Sequence, residues 1–183
     1  GTIAAASKLK SATVTTLPGS PFPYIMTGSS TGTSISYNTS TRQINLSYSV
    51  PSASDVSGST ISFDRPGTPA VEMQNLSTLT NLVFGLKGAA ASIKFEIVDI
   101  NNVKDSFTLT GISSKTEKFW QVPVASILNT LDKTRVKEIR FIITQANTTS
   151  TTRTGTVSIR SYGLNTSAPS QPGVTSTVPA FTN

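Results

Sequence analysis

The chain has 183 residues, of which 36% are apolar and 13% charged, and it carries a net charge of +6. It contains no Cys and no His, which removes disulfide frameworks, thiolate zinc sites, Cys- or His-based nucleophiles and the commonest general base. No run approaches the roughly 18 apolar residues of a membrane-spanning helix, so membrane insertion is not expected.

Ser and Thr together number 56, a composition associated with surface proteins. The first residue is Gly1 rather than Met, which reads as a processed product or an excised fragment. The positive charge is spread along the chain. Its densest stretch, Lys133, Arg135, Lys137 and Arg140, is interleaved with Asp132 and Glu138. Nucleic-acid binding needs a concentrated basic footprint, so no nucleic-acid partner is expected.

Residues 1–30 read as an N-terminal extension, with the strand-like Ala12–Thr16 and a proline-punctuated apolar stretch containing Phe22, Tyr24, Ile25 and Met26. Residues 31–164 hold nearly all the period-2 patterning. In chain order, Ile44, Leu46, Tyr48 and Val50 alternate with polar residues. So do Ile61 and Phe63, Val71 and Met73, and then Leu82, Phe84 and Leu86. Ile93, Phe95 and Ile97 follow, then Phe107 and Leu109, Ile139, Phe141 and Ile143, and finally Val157 and Ile159. Each series puts its apolar set on one face of a strand. Many short strands with Gly, Pro, Asn and Ser between them predict an antiparallel β-sandwich. Only Val124–Asn129, after Pro123, predicts a turn of helix. Residues 165–183 lack charge and contain Pro169, Pro172 and Pro179, which reads as an extended tail. The expected core is Ile44, Leu46, Leu82, Phe84, Ile93, Phe95, Phe107, Leu109, Trp120, Ile139, Phe141, Val157 and Ile159.

The succession LVFGLKG (82–88), IKFEIVD (93–99), FTLT (107–110), FWQVPV (119–124), KEIRFI (137–142) and GTVSI (155–159) resembles the galactose-binding-like β-jelly-roll modules, above all bacterial carbohydrate-binding modules. The resemblance covers about residues 31–164. It implies a jelly roll, secretion, and a binding or structural role without catalysis. It also implies that Trp120 is a core residue and that a ligand lies on a concave sheet face lined by aromatics. Members often carry Asp where this chain has Arg160, a departure at the position near a structural calcium. No metal and no cofactor is expected. Sugars stack on exposed aromatics and hydrogen-bond to planar polar groups. The carbohydrate-binding candidates are therefore Tyr37, Tyr48 and Tyr162, with Arg140, Glu96 and Lys94 as polar partners.

Asp99, Asn101, Asn102 and Asp105 offer oxygen ligands, but they lie between two strands and read better as a hairpin turn. Asp64, Glu72, Glu96 and Asp99 are explained by Lys–Glu and Arg–Asp pairs such as Lys94/Glu96 rather than by a glycosidase cleft, so no enzyme activity is expected. Asn38, Asn45, Asn75, Asn147 and Asn165 head Asn-x-Ser/Thr sequons that permit glycosylation. The apolar anchors Phe22, Tyr24, Ile25, Met26 and Phe181 suit strand addition to an exposed sheet edge. Two functional readings follow. The first is an extracellular subunit that polymerises with copies of itself through its tails. The second is a carbohydrate-binding module of a larger secreted hydrolase or adhesin, with polysaccharide as its partner.

Overall fold

A computed structural model describes residues 1–5, 13–16, 20–24, 32–64 and 67–165, with the backbone alone at 13–16, 20–24 and 161–165. The described strands are β1 (Thr2–Ala4), β2 (Thr13–Thr16), β3 (Ser20–Tyr24), β4 (Ser34–Asn38), β5 (Gln43–Ser49) and β6 (Val56–Ser62). They continue with β7 (Asn81–Gly88), β8 (Ser92–Asp99), β9 (Lys104–Thr110), β10 (Lys118–Pro123), β11 (Val136–Thr144) and β12 (Thr154–Asn165). Helical structure among the described residues is limited to two 3₁₀ turns, Val124–Ser126 and Gln145–Asn147. The first is the turn expected after Pro123.

The strands form two sheets that pack as a jelly roll. Sheet A runs β1-β9-β8-β11-β6-β3, and sheet B runs β10-β7-β12-β5-β4, with β2 also paired to β12. Every pairing is antiparallel except β1 with β9. The alternation sets which side faces inward. In β5 the burial pattern switches at every residue, and Ile44, Leu46, Tyr48 and Val50 go inside. All thirteen expected core residues are buried. Sheet B contributes Phe84, whose ring centroid lies 4.6 Å from Phe95 and 5.4 Å from Phe141 of sheet A. This aromatic cluster joins the two layers, each fully buried ring stabilising the fold by roughly 2–3 kcal/mol. Trp120 is fully buried and its indole N–H donates to the Thr110 carbonyl at 2.9 Å, so its one polar atom is satisfied.

Three expectations change. Val71 and Met73 do not form a strand: they are 47% and 39% exposed, and only Gln74 makes a bridge, to Val136. This stretch must carry the chain from β6 in sheet A to β7 in sheet B, and Pro69 removes a ladder donor within it. Residues 1–30 are not merely an extension, because β1 lines one edge of sheet A, β3 the other, and β2 joins sheet B. Phe22 and Tyr24 lie in β3, so the strand addition expected on a neighbouring subunit is made within the chain. Ile25, Met26 and Phe181 lie outside the described residues.

Candidate functional site

The side chains that β11 turns away from the core carry the chemistry. Ile139, Phe141 and Ile143 point into the sandwich, which leaves Glu138, Arg140 and Ile142 on the outer face of sheet A. The register aligns them with neighbours. Arg140 stands between Thr60 of β6 and Glu96 of β8, and Ile142 between Gly58 and Lys94. Glu96 and Lys94 stand opposite Ser106 and Thr108 of β9. On the far side, Phe22 and Tyr24 of β3 occupy the register positions opposite Thr60 and Gly58. The outer face is thus ordered in rows, with hydroxyls in β9.

Arg140 is clamped. Its Nη1 donates to Glu96 Oε1 at 3.0 Å, while its Nε and Nη2 donate to Glu138 Oε1 at 3.1 and 2.5 Å. Lys94 Nζ lies 3.5 Å from Glu96 Oε2. The Arg140, Glu96 and Glu138 side chains retain only 16%, 11% and 16% of their exposure. The group is therefore largely desolvated and its orientation is locked before any ligand arrives. Thr60, beside it, is fully buried, and its hydroxyl has no hydrogen-bond partner among the described residues.

Beyond Glu138 the face drops into a cleft of about 360 Å³ lined by Ser62, Asp64, Val71, Ile100, Lys137 and Glu138. Its polar groups are fixed. Asp64 N donates to Ser62 Oγ at 3.2 Å, Glu72 N to Asp64 Oδ1 at 3.2 Å, and Lys137 Nζ to Asn102 Oδ1.

The sequence candidates are scattered. Arg140, Glu96 and Lys94 come together on sheet A, whereas Tyr37, Tyr48 and Tyr162 belong to strands of sheet B. Tyr48 is corrected as a stacking platform. It is 2% exposed and its phenol donates to the Thr152 carbonyl at 2.8 Å, because period 2 puts it on the side of Leu46 and Val50. Tyr37 sits at the rim on edge strand β4, opposite Ile44 and 37% exposed. The Tyr162 side chain lies outside the described residues, although its backbone pairs with Val83 and Thr16. The sequence reading missed Glu138 as the second jaw of the clamp, and it missed the cleft altogether. Only the (i, i+2) spacing of Glu138 and Arg140 on one strand face signalled the first.

The other expectations resolve locally. Asp99 is buried and accepts from the Asn101, Val103 and Asp132 amides, and Asn102 takes a left-handed φ of 62°, which makes 99–104 a hairpin turn. Among the described residues no cluster of acidic side chains is arranged to hold a metal. Among the sequons, Asn38 and Asn75 are exposed and use Oδ1 to cap the turns that follow them. Asn45 is half-buried and accepts from Gln43 Nε2 at 2.8 Å. Asn147 is buried and donates to Ser92 Oγ at 2.8 Å through the nitrogen a glycan would occupy, so this sequon is closed in the folded chain. The Asn165 backbone pairs with Thr13, and its side chain lies outside the described residues.

No protein-family model and no curated protein matches the sequence. Solved structures do match the fold. The family 11 carbohydrate-binding module of a cellulosomal cellulase of Clostridium thermocellum is 19% identical, with a TM-score of 0.55, over 82% of this chain and 89% of that one. A family 29 carbohydrate-binding module solved with cellulohexaose is 12% identical, with a TM-score of 0.51, over 85% of this chain and 93% of that one. An agarase matches 88% of this chain over 26% of its own length, at 11% identity and a TM-score of 0.58. The chain has the β-jelly-roll fold of these carbohydrate-binding modules.

Proposed function

We propose that the chain is a non-catalytic carbohydrate-binding module of a larger secreted enzyme or adhesin, and that it holds polysaccharide on the outer face of sheet A. The observation that carries this reading is the Glu138–Arg140–Glu96 clamp with Lys94 beside it. Planar charged groups, already oriented by one another, offer donors and acceptors to sugar hydroxyls with little ordering left to do. The β3 register adds an aromatic pair beside the same rows, the kind of residue on which sugar rings stack. The structural likeness to carbohydrate-binding modules supports the reading, and so does the place of the agarase match within a much longer enzyme. An open face with little enclosure gives weak affinity, and secretion follows from the polymeric ligand.

The test is retention of the full chain on mixed-linkage β-glucan, galactomannan and agarose, beside Lys94→Ala and a Phe22→Ala/Tyr24→Ala double variant. The expected result is retention of the native chain by at least one polymer, with a loss of fivefold or more in each variant. Retention that both variants preserve would remove the site from sheet A, and a native chain that none of the polymers retains would remove the function.

A further inference from the structure

Sheet A ends in β1 and β3, and sheet B in β10 and β4. Three of these end strands are blunted against further pairing. β1 is three residues long, β3 carries Pro21 and Pro23, and β10 begins with Lys118 and ends with Pro123. Short strands, prolines and lysines are the devices that keep a sheet edge from taking up another chain. β4 has neither proline nor charge. It reads Ser34-Ile35-Ser36-Tyr37-Asn38, four of its five residues are exposed, and among the described residues it pairs with β5 alone. Its far edge therefore presents backbone donors and acceptors to an incoming strand.

The edge is also complementary to itself. Ile35 and Tyr37 stand opposite Leu46 and Ile44, on the core side of the sheet. Ser34, Ser36 and Asn38 stand opposite Ser47, Asn45 and Gln43, on its outer side. Ile35 packs against the core, whereas Tyr37, at the rim, is 37% exposed. A second β4 laid antiparallel, in the register that uses all five residues, sets Ser36 against Ser36, Ile35 against Tyr37 and Ser34 against Asn38. Aromatic–β-branched and polar–polar pairs are favourable cross-strand neighbours. No charge opposes the approach. Neither β4 nor β5 carries one, and the turns that hold Arg42 fall at opposite ends of the paired strands.

We propose that β4 is a self-association edge: two copies of the chain pair β4 to β4 about a two-fold axis at Ser36, joining their two sheets B into one continuous sheet. Such an axis runs perpendicular to the sheet, so the outer faces of both sheets A look to the same side. Five-residue strands bury an area in the weak, transient class, below about 1,200 Å², so the pairing is reversible and fills as concentration rises. One consequence rests on the carbohydrate-binding reading above. The pair is a bivalent platform on which one polysaccharide chain meets two sites, and its retention rises through effective concentration rather than through new contacts.

Sedimentation of the full, unglycosylated chain with no polysaccharide present, from about 10 μM to about 1 mM, tests the pairing by itself. The expected result is an average mass that climbs from one chain toward two. Ser36→Lys and Ser36→Glu each set like charges against one another on the axis. Both should stay monomeric over that range and keep the native melting temperature, because Ser36 is exposed. Mixed in equal amounts, the two variants set opposite charges together and should dimerise at least as well as the native chain. A native chain that is still monomeric at the highest concentration overturns the proposal. So does a native dimer that both variants keep, or one whose loss mixing does not repair. Retention on the best-held of mixed-linkage β-glucan, galactomannan and agarose should then fall about tenfold or more in Ser36→Lys, although the Arg140 clamp is untouched. Equal retention beside intact native dimers removes the bivalent platform and leaves the pairing. If no polymer retains the native chain, the carbohydrate reading falls, and sedimentation still decides the pairing.

Discussion

Arg160 of β12 reaches across β7 to Glu117, its Nε donating to Glu117 Oε2 at 2.9 Å and its Nη2 to Glu117 Oε1. The strand it crosses carries Gly85 at that register, and a Cβ there would lie 3.0 Å from both Glu117 Oε2 and Phe119 Cε1. The bare backbone at Gly85 is what lets the pair lie flat on the outer face of sheet B. Arg160 is thus committed to a bidentate ion pair whose side chains are 16% and 22% exposed.

Arg160→Asp sets two carboxylates against each other at a partly desolvated site. It is expected to cost about 2–3 kcal/mol at pH 7, between the values for exposed and buried pairs broken on one side. The loss should shrink as the pH falls through the carboxylate range, because protonation relieves the repulsion. Urea denaturation at pH 7 and pH 4 reads this, and an equal cost at both values would show that packing rather than charge is responsible.

Tyr48→Phe removes the bond to the Thr152 carbonyl and leaves the buried ring in place. The expected cost is about 1 kcal/mol, with glycan retention unchanged. Burial pushes the Tyr48 phenol above the usual value. Its contribution is therefore fully present below about pH 10 and is lost as the pH rises through the folded value. Alkaline titration followed at the tyrosinate absorbance should lose a step above the usual tyrosine range in Tyr48→Phe.

Asn147→Ala leaves the Thr144 amide and hydroxyl and the Ser92 hydroxyl without their shared partner. About 2 kcal/mol of destabilisation is expected, since the site is buried. Expression in a glycosylating host should leave Asn147 unmodified in folded protein and modify the exposed Asn38. Peptide mass spectrometry distinguishes the two, and a glycan on Asn147 of natively folded chain would contradict the burial.

Asp132 is held at a pKa of about 2 by hydrogen bonds, first from the Thr134 hydroxyl and then from Arg135. Its contribution to stability is present above the unfolded value of about 3.9 and is lost as the pH falls toward the folded one. Carboxyl NMR titration should place Asp132 well below the ordinary Asp value. Thr134→Val should raise it toward the ordinary value, and no movement would assign the effect to Arg135 alone.

The sequence by itself determined the layers of this protein. Alternation in Ile44–Val50, Ile93–Ile97 and Ile139–Ile143 selects a core face without any knowledge of the partner strand, because side-chain direction along a strand has period 2 and is local. It also placed Trp120 inside and the 99–105 segment in a turn. Alternation does not say which strands are neighbours, and every feature of the candidate site depends on that. Glu96 and Arg140 meet because β8 and β11 pair, 44 residues apart in sequence. Phe22 and Tyr24 enter the same rows only because β3 pairs with β6. Val71 lines a cleft because its segment fails to become a strand and is pinned at Asp64 and Val136 instead. Tyr48 was open to two readings, core or ligand, since a tyrosine suits either; the carbonyl of Thr152, 104 residues away, satisfied its hydroxyl inside and decided it. Local chemistry assigns faces, and only the long-range pairing of strands brings the groups on those faces within reach of one another.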